Sequence, residues 1–469
     1  MSKMSTSSTL RLLAFLAAPA MFGACHKATN GGPRGSAATA SFDASVATRW
    51  MQTLYDIVKS NPGLSPPVAS RAYGYAGVTL YESVARGMAG YQSLAGQLNG
   101  FLGVPEPTTI VDYRAVANAA LAAVIRGDNL LRAAVPNISA GNITVADDLE
   151  TAINDELAAE GLDPTILQNS ADHGVAIADS ILDWLAEDGF DVFTNCDYTP
   201  PVGPGLWTAL PGQTALQPCW DQVRPFVLLP GSACNPGPHP DFDETVGSPF
   251  YLEADEVYTT TGDAGAGLTP DQNDIAFFWA DGPGGTGTPP GHWISILAQI
   301  CDGDTDGDGL SDAAGETLAV AAEAYAKLGI AVADAFISCW QVKYQYNLER
   351  PITYIQRVID PAWDPLLSTP GFPEYTSGHS TQSGAAYTVL TDVLGARAFN
   401  DGTHTIHGNT VGPGATIPPN RSFADFETAA LEAASSRLFG GIHFASANNN
   451  GVSQGVCVGN EVLTLQFLE

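Results

Sequence analysis

The spacing of apolar residues restricts the fold of this chain more than any other feature of the sequence. Between residues 41 and 98, apolar positions recur every three or four residues on both sides of a proline cluster, as in amphipathic helices. The same spacing, in part rich in alanine, returns at 113–134, 145–186, 269–281, 292–301 and 317–348. No run of alternating polarity, or rich in valine and isoleucine, predicts a strand. The sequence therefore predicts an all-α fold with long loops.

The chain is also strongly acidic. Its 469 residues include 19 Lys and Arg against 50 Asp and Glu, which gives a net charge of −31 at neutral pH. Such a charge argues against nucleic acid as a partner, because phosphates are bound by clustered cations. Hydrophobic residues make up 45% of the chain, which is enough for a large core. Basic residues that cluster in motifs therefore stand out.

The first residues have the features of an export signal. Lys3 and Arg11 precede an apolar run at 12–21 that is too short to span a bilayer, and small residues follow it. We predict a signal peptide at residues 1–25, and hence export to the periplasm, the cell surface or the medium. Cys25 follows Gly and Ala and resembles the cysteine of a bacterial lipobox, which predicts a lipid anchor unless the leader is cleaved as an ordinary signal peptide.

The rest of the chain is predicted to be one folded unit behind a tether. Residues 26–40, rich in Gly, Ala, Ser and Thr, form the flexible tether, and 41–469 a single helical domain. The six cysteines after Cys25 contain no C-x-x-C pair, which argues against zinc and allows disulfides in an exported protein. Three of them share one loop-rich region and are expected to be bridged, with the pairing left open: Cys196, Cys219 and Cys234.

Residues 190–262 break the helical pattern. They are dense in Pro, Gly, Trp and Cys, and no period persists. The segment is either a long surface connection or, as long loops in compact domains often are, a lid or pocket wall. In the second case four of its residues would line the pocket: Trp207, Trp220, Arg224 and Phe226.

An acidic loop at 302–316 lies between two of the predicted helices. Five of its residues match positions 1, 3, 5, 6 and 9 of a calcium-binding loop: Asp304, Asp306, Asp308, Gly309 and Asp312. The glutamate expected at position 12 is out of register, because Gly315 holds that position and Glu316 follows it. The loop is predicted either to bind Ca²⁺ as a structural staple or to be a solvated acidic turn.

Ser377, Gly378 and His379 stand at the head of a predicted helix that runs to about Ala396. The free backbone N–H groups of a helix start and the helix dipole both attract anions. Gly378 lets a ligand approach the backbone, the Ser377 hydroxyl can donate a hydrogen bond, and His379 can move a proton near neutral pH. Because this tripeptide is common, it indicates an anion site only together with the residues described next.

Three basic residues accompany the tripeptide. Lys343 and Arg350 are seven residues apart, which predicts the same face of a helix that ends before Pro351. The alternative is a solvated helix face, although the aromatic Trp340 nearby argues against it. Arg437 falls in the last turn of another predicted helix, where the alternative role is to cap the helix dipole.

A second histidine follows that helix. Ser422 and Asp425 resemble a capping box, which predicts a helix from there to Phe439, and His443 lies just beyond its end. A buried histidine with satisfied hydrogen bonds is the alternative for His443. Two arginines and a lysine that face backbone N–H groups would bind a tetrahedral oxyanion with nearly complete hydrogen bonding.

Together these residues form a signature of three parts: Lys343-x6-Arg350-Pro351, Ser377-Gly378-His379 and Ser436-Arg437-x5-His443. The signature resembles that of the vanadium-dependent haloperoxidases, which share their anion cage with the type 2 phosphatidic acid phosphatase superfamily. The resemblance covers residues 340–448, and Pro-Pro-Gly-His292-Trp293 resembles bacterial homologues more loosely. It implies a helical fold of two four-helix-bundle halves, with the active site in about 269–469.

The resemblance also implies a role for each residue. Vanadate is the implied cofactor, and five residues would hold its oxygens: Lys343, Arg350, Ser377, Gly378 and Arg437. His443 would be the single protein ligand of vanadium, and His379 the acid/base that helps to bind and activate hydrogen peroxide. Lys343 would also polarise the bound peroxide. Trp340 and Phe372 stand where the family has residues near the halide, and ordinary core is the alternative for both rings.

Two positions depart from the family pattern. Thr376 stands where a proline is usual before the serine. Ala447 stands where the family has an aspartate four residues after the vanadium-binding histidine. Because a carboxylate partner orients a ligating imidazole, its loss is expected to weaken vanadate binding. A shift of the turn by one residue would let Asn448 act as a neutral replacement.

These features predict an enzyme that uses vanadate and hydrogen peroxide to oxidise a halide to hypohalous acid, which then halogenates small organic acceptors. Two alternatives stay open. An exported acid phosphatase would use the same cage, with His443 as the nucleophile and His379 protonating the leaving group. A calcium-stapled binding protein without catalysis would keep only a decayed cage. The sequence leaves open the halide, the organic acceptor and the oligomeric state.

Overall fold

The computed structural model describes residues 36–127, 130, 140–194, 196–229, 234–411, 416 and 418–469. The predicted signal peptide, Cys25 and most of the predicted tether lie outside these residues. Helices dominate the described ranges, and the prediction of an all-α fold is confirmed. Within the same ranges, every helix is too short or too polar to cross a bilayer.

The helices of the described ranges, in chain order, are α1 (Ser45–Lys59), α2 (Pro66–Val84), α3 (Tyr113–Arg126), α4 (Ala140–Ala159), α5 (Pro164–Ala186), α6 (Phe190–Phe193), α7 (Pro249–Thr261), α8 (Pro270–Phe278), α9 (Thr288–Asp302), α10 (Leu318–Tyr346), α11 (Pro351–Val358), α12 (Gly378–Leu394), α13 (Thr403–Ile406), α14 (Phe426–Phe439) and α15 (Ala445–Val462). Two strands, β1 (Phe399–Asp401) and β2 (Arg421–Phe423), pair antiparallel between α12 and α14. This ribbon was not predicted, because three residues are too few to show a period.

Side-chain caps determine where several helices begin. Thr269 and Gln272 form a complete capping box at the start of α8. The capping box predicted at Ser422 is wrong, because Ser422 lies in β2. Asp425 caps α14 instead, by accepting a hydrogen bond from the backbone N–H of Thr428 at 2.7 Å.

The long helix α10 packs against helices from both the N-terminal and the C-terminal parts of the chain. It is buried along nearly its whole length and packs against α2 and α12. Glycine lets the backbones of α2 and α10 touch, since a Cβ on Gly77 would lie 2.4 Å from the carbonyl oxygen of Tyr325. Helix α12 packs in turn against α14 and α15. The predicted site residues therefore stand on elements that α10 connects to the N-terminal helices.

Two disulfides fix the segment at 190–262. Cys196 is bonded to Cys219, and Cys234 is bonded to Cys457 of α15. The expected bridging of the three cysteines in this region is confirmed, although the second bond reaches outside it. The segment also contains α6 and α7, which were not predicted, although the buried residues of α7 recur every three or four positions.

The segment at 190–262 is mostly exposed or half-buried, and a few of its side chains belong to the core. Three of the residues considered for a pocket wall are buried among other side chains: Trp207, Trp220 and Phe226. Arg224 donates a hydrogen bond to the carbonyl of Trp184 at 2.7 Å. A different part of the segment borders the predicted site, since the carbonyl of Leu216 accepts a hydrogen bond from the indole of Trp340 at 3.2 Å.

Candidate active site

The start of α12 provides the backbone of the site. Ser377 is the N-cap, and its hydroxyl oxygen accepts from the backbone N–H of Ser380 at 3.4 Å. Its own N–H donates to the carbonyl of Ala447 at 3.1 Å, which ties the helix start to α15. Gly378 and His379 are the first two residues of the helix, so their N–H groups have no acceptor within it. These two N–H groups and the positive end of the helix dipole both face the space in front of α12.

Lys343 lies in the last turn of α10 and is completely buried. Its ammonium donates to the carbonyls of Pro373 and Glu374, at 3.0 and 2.9 Å, and to the carbonyl of Thr376. The charge therefore sits against the segment that leads into Ser377. Burial lowers the pKa of Lys343 to about 7.

Arg350 reaches the site from a different element than predicted. Helix α10 ends at Asn347, which adopts the left-handed conformation with φ 48°, and Arg350 is the N-cap of α11. Lys343 and Arg350 therefore do not share a helix face. The two side chains nevertheless converge, because Arg350 Nε donates to the carbonyl of Phe372 at 2.9 Å. Its Nη1 donates to the carbonyl of Ile442 at 2.8 Å.

Arg437 enters the site from the last turn of α14. It is 1% exposed, and its Nη2 donates to the carbonyl of Ala276, in α8, at 3.2 Å. Its Nε donates to the hydroxyl of Ser436 at 2.9 Å. Burial lowers the pKa of Arg437 to about 10, against the opposing charge of Asp281. The side chain is thus held on α8, and capping of its own helix does not explain its position.

His443 has a carboxylate partner that the sequence did not predict. Its Nδ1 lies 2.8 Å from Glu374 Oε1, which also accepts from the backbone N–H of Phe444 at 2.9 Å. The other ring nitrogen, Nε2, lies 3.1 Å from Arg350 Nη1. Burial, followed by the charge of Arg350, lowers the pKa of His443 well below its usual value. The ring is therefore neutral, with its proton on Nδ1 and a lone pair on Nε2.

The absence of a carboxylate at Ala447 does not leave His443 without a carboxylate partner. Glu374 supplies the carboxylate that the position of Ala447 lacks. Asn448 does not replace it, since its Oδ1 accepts from the hydroxyl of Ser380 at 3.4 Å. The available signal was an acidic residue three positions before Ser377, but nothing in the sequence connected it to His443.

His379 presents a free ring nitrogen to the site. One ring nitrogen donates to the backbone of Trp279, and Nε2 is buried with no partner among the described residues. Burial, with a further contribution from Arg437, lowers the pKa of His379 well below its usual value. The ring is therefore neutral and can accept a proton at Nε2.

Trp340 and Phe372 form an aromatic wall beside the cations. Their ring centroids are 5.0 Å apart. The Lys343 ammonium lies 5.0 Å from the Phe372 centroid, and the Arg350 guanidinium lies 4.7 Å from it. Both rings therefore lie beside the two cations, while Trp340 is also a buried member of the hydrophobic core and Phe372 packs against that core.

The site has the charge and the free donors to hold a tetrahedral oxyanion. The site contains three buried cations, Lys343, Arg350 and Arg437, and one buried carboxylate, that of Glu374. Within the described ranges, the buried atoms Arg350 Nη2 and His379 Nε2 lack a protein partner. Buried polar groups are normally paired, so these atoms indicate a missing ligand. Vanadate and phosphate both fit the free donors, which are Arg350 Nη2 and the backbone N–H groups of Gly378 and His379, whereas His379 Nε2 is an acceptor.

Comparison with known proteins agrees with the geometry. A family model described as "VCPO second helical-bundle domain" matches residues 323–467. The crystal structure of "the first bacterial vanadium dependant iodoperoxidase" is 34% identical, with a TM-score of 0.76, and the match covers 91% of this chain and 97% of that one. The chain belongs to the vanadium haloperoxidase family. No curated protein sequence matches it.

More distant members of the family share the fold. The apo and holo forms of a bacterial vanadium-dependent chloroperoxidase are 16% and 17% identical to this chain, with TM-scores of 0.60 and 0.59. The matches cover 85% and 86% of this chain, and 92% of each of the others. These comparisons show that the chain has the helical fold of the vanadium haloperoxidases, as the sequence resemblance implied.

The acidic loop at 302–316 contains none of the residues of the candidate active site. Carboxylate oxygens of three residues lie within 4.8 Å of one another: Asp304, Asp306 and Asp312. Asp308 was predicted as a fourth ligand, but it is outside this group, and its carboxylate accepts from the backbone N–H of Leu310 at 2.8 Å. Glu316 is paired with Arg397 at 2.9 Å, so the displaced glutamate does not complete the loop.

Proposed function

We propose that this protein is a vanadate-dependent haloperoxidase that oxidises halide with hydrogen peroxide to hypohalous acid, which then halogenates organic acceptors. The observation that carries the proposal is the environment of His443 Nε2. Glu374 holds the ring proton on Nδ1, so Nε2 keeps a lone pair among buried cations. A neutral imidazole of this kind can ligate a metal whose oxygen atoms the cations neutralise.

The residues of the anion cage would each have a separate part in binding vanadate. When bound, vanadate supplies a Lewis-acidic centre that activates hydrogen peroxide without changing its oxidation state. Five residues would hold its oxygens: Arg350, Ser377, Gly378 and Arg437 by hydrogen bonds, and Lys343 by its charge, because the Lys343 ammonium already donates to three carbonyls. Arg350 Nη2 is the clearest of these donors, because it is buried and has no partner in the described part of the chain. His443 Nε2 would be the single protein ligand of the metal.

His379 and Lys343 act on hydrogen peroxide. The neutral ring of His379 accepts a proton at Nε2 as hydrogen peroxide binds, and later returns it. The buried charge of Lys343 polarises the oxygen that a halide ion attacks. Both residues are therefore proposed as catalytic.

The aromatic wall receives the halide. Trp340 and Phe372 offer an apolar surface with two cations close behind it, which favours a large and weakly hydrated anion. Iodide is the most easily oxidised of the common halides, and one similar protein is described as an iodoperoxidase. We therefore propose iodide as a substrate.

The same cage would also serve a phosphatase. In that case His443 Nε2 attacks phosphorus and His379 protonates the leaving group. The hydrogen bond from His443 to Glu374 would orient such a nucleophile equally well. The third alternative, a decayed cage, loses its main support, because Glu374 replaces the carboxylate missing at Ala447.

A peroxidase assay of the purified chain distinguishes these functions. Iodide, bromide and chloride are each supplied with hydrogen peroxide, with and without orthovanadate. We expect halide oxidation that depends on vanadate, and no such activity with any halide would overturn the proposal. Phosphate-ester hydrolysis that vanadate inhibits, without halide oxidation, would favour a phosphatase. A His379→Ala variant that equals the wild type in every assay would favour a binding protein.

We further propose two properties outside the cage. The acidic loop binds Ca²⁺ through Asp304, Asp306 and Asp312, whose carboxylates converge. The protein is exported through its N-terminal leader, which is cleaved before Cys25, and is anchored by a lipid on Cys25. The two disulfides support export, since such bonds persist in oxidising compartments. Loss of labelling by radioactive palmitate in a Cys25→Ala variant tests the anchor.

A further inference from the structure

A second buried cluster of charged side chains lies directly behind the anion cage. His292, on α9, is 0% exposed, and its Nδ1 lies 2.9 Å from Asp281 Oδ2. Its Nε2 lies 2.8 Å from Asp401 Oδ2, at the end of β1. Asp281 and Asp401 are 1% and 0% exposed. This triad therefore connects three separate parts of the chain: the segment after α8, the helix α9 and the ribbon.

The triad is an ionic one rather than a metal site. Both ring nitrogens of His292 face carboxylates, so each carries a proton and the ring is an imidazolium. Although burial disfavours this charge, Asp281 and Asp401 raise the pKa of His292 to about 10. An imidazolium has no lone pair for a metal. The nearby His404 is also satisfied, with Nε2 at 2.6 Å from the carbonyl of Phe278.

The segment held by the triad carries two carbonyls that orient residues of the cage. Arg437 Nη2 donates to the carbonyl of Ala276, and the His379 ring donates to the backbone of Trp279. The indole of Trp279 stacks on the His292 ring, with centroids 4.5 Å apart and planes at 25°. His292 thus touches the residue that orients His379, and it is hydrogen-bonded to Asp281, two positions further along.

We propose that His292 is a positioning residue, which fixes the 276–281 segment through its two carboxylates and thereby sets the places of Arg437 and His379 in the cage. It does so without contact with the bound anion. The inference rests on the proposed function in one respect, because the cage is taken to bind vanadate. The two buried carboxylates against one imidazolium also leave a negative charge that complements the buried Arg437.

The test compares His292→Gln with a control that loses a histidine–aspartate pair elsewhere. His407 is a matched control, since its buried ring stacks on Tyr55 and its Nδ1 lies 2.9 Å from Asp56. Three quantities are measured on the full chain: the melting temperature without anion, the Kd for orthovanadate by calorimetry, and the KM for hydrogen peroxide and for iodide. Inorganic phosphate is a second probe of anion binding.

We expect His292→Gln to raise the Kd for orthovanadate and the KM for hydrogen peroxide, each by about tenfold. The KM for iodide should stay within twofold, because Trp340 and Phe372 are not held by the 276–281 segment. His407→Gln should lower the melting temperature and leave all three constants unchanged. Equal losses of melting temperature in both variants, with wild-type constants in His292→Gln, would show a purely structural role and overturn the proposal.

A second variant covers the case in which His292→Gln does not fold. Asp401→Asn keeps the imidazole and removes one carboxylate, and it should raise the same two constants by a smaller factor. A wild-type Kd in Asp401→Asn would contradict the inference. If the wild type binds phosphate but oxidises no halide, the proposed function fails, whereas the positioning role still requires weaker phosphate binding in both variants.

Discussion

At the scale of single residues, the hydrogen bond between His443 and Glu374 gives the histidine a carboxylate partner without an acidic residue at position 447. The family pattern places the carboxylate close to the histidine in the sequence. Here the carboxylate comes from a segment 69 residues away. A single sequence cannot reveal such a pairing, because it depends on how α12 and α15 pack. The residues of the three-part signature lie near one another in the structure, whereas this partner was missed in the sequence.

Replacement of Glu374 should therefore weaken the cage. We expect Glu374→Gln to raise the Kd for orthovanadate by about tenfold, because the amide accepts the same hydrogen bond without the charge that makes His443 more basic. Glu374→Ala should raise it more. Calorimetric titration measures both effects. Glu82→Gln is the control, since Glu82 is a buried carboxylate on α2 that accepts from the backbone N–H of Leu94 at 2.7 Å. A wild-type Kd in Glu374→Ala would contradict the assigned role.

The protonated His292 should make stability depend on pH. Its pKa is about 10 in the folded chain, against an ordinary value of 6.5, because Asp281 and Asp401 outweigh the cost of burial. The stabilisation is therefore fully present below pH 6.5 and is lost as the pH rises through 10. We expect the difference in unfolding free energy between the wild type and His292→Gln to shrink by roughly 2–5 kcal/mol over that window. Urea unfolding at several pH values measures it, and a constant difference would argue that His292 is neutral.

At the scale of elements, helices with strong periods and clear stop signals were predicted well. Pro351 correctly predicted a break after α10, but the left-handed Asn347 was not foreseen. Lys343 and Arg350 were thus predicted together for the wrong reason. Periodicity assigns residues to one helix face, whereas their convergence depends on the turn between α10 and α11. The β1–β2 ribbon was missed, although Asp401 on it holds His292.

The acidic loop at 302–316 contacts the β1–β2 ribbon beside the start of β2. Asn420 Nδ2 donates to the carbonyl of Gly307 at 2.9 Å. We expect 1 mM Ca²⁺ to raise the melting temperature by roughly 2–5 °C, by binding the folded loop. Asp306→Asn should lose most of this rise, and Asp308→Asn should keep it, since Asp308 lies outside the converging group. If neither Ca²⁺ nor a chelator changes the melting temperature of the wild type, the loop does not bind Ca²⁺ and is a solvated acidic turn.

At the scale of the whole molecule, the charge of the surface opposes the charge of the site. The chain carries a net charge of −31, yet its proposed substrate and cofactor are anions that must reach three buried cations. The field of the surface repels such anions at long range, and the cage attracts them only at short range. Salt screens the first effect much more than the second, because buried charges are less accessible to ions.

The rate of iodide oxidation should therefore rise with ionic strength. The Debye length falls from about 30 Å at 0.01 M to about 8 Å at 0.15 M salt, which removes most of the repulsion from the surface. We expect kcat/KM for iodide to increase several-fold over this range in an inert salt, at saturating hydrogen peroxide. The KM for hydrogen peroxide is the internal control, since this uncharged substrate should not respond to salt. A fall in kcat/KM with added salt would mean that the field of the buried cations extends beyond the cage and outweighs the net charge of the chain.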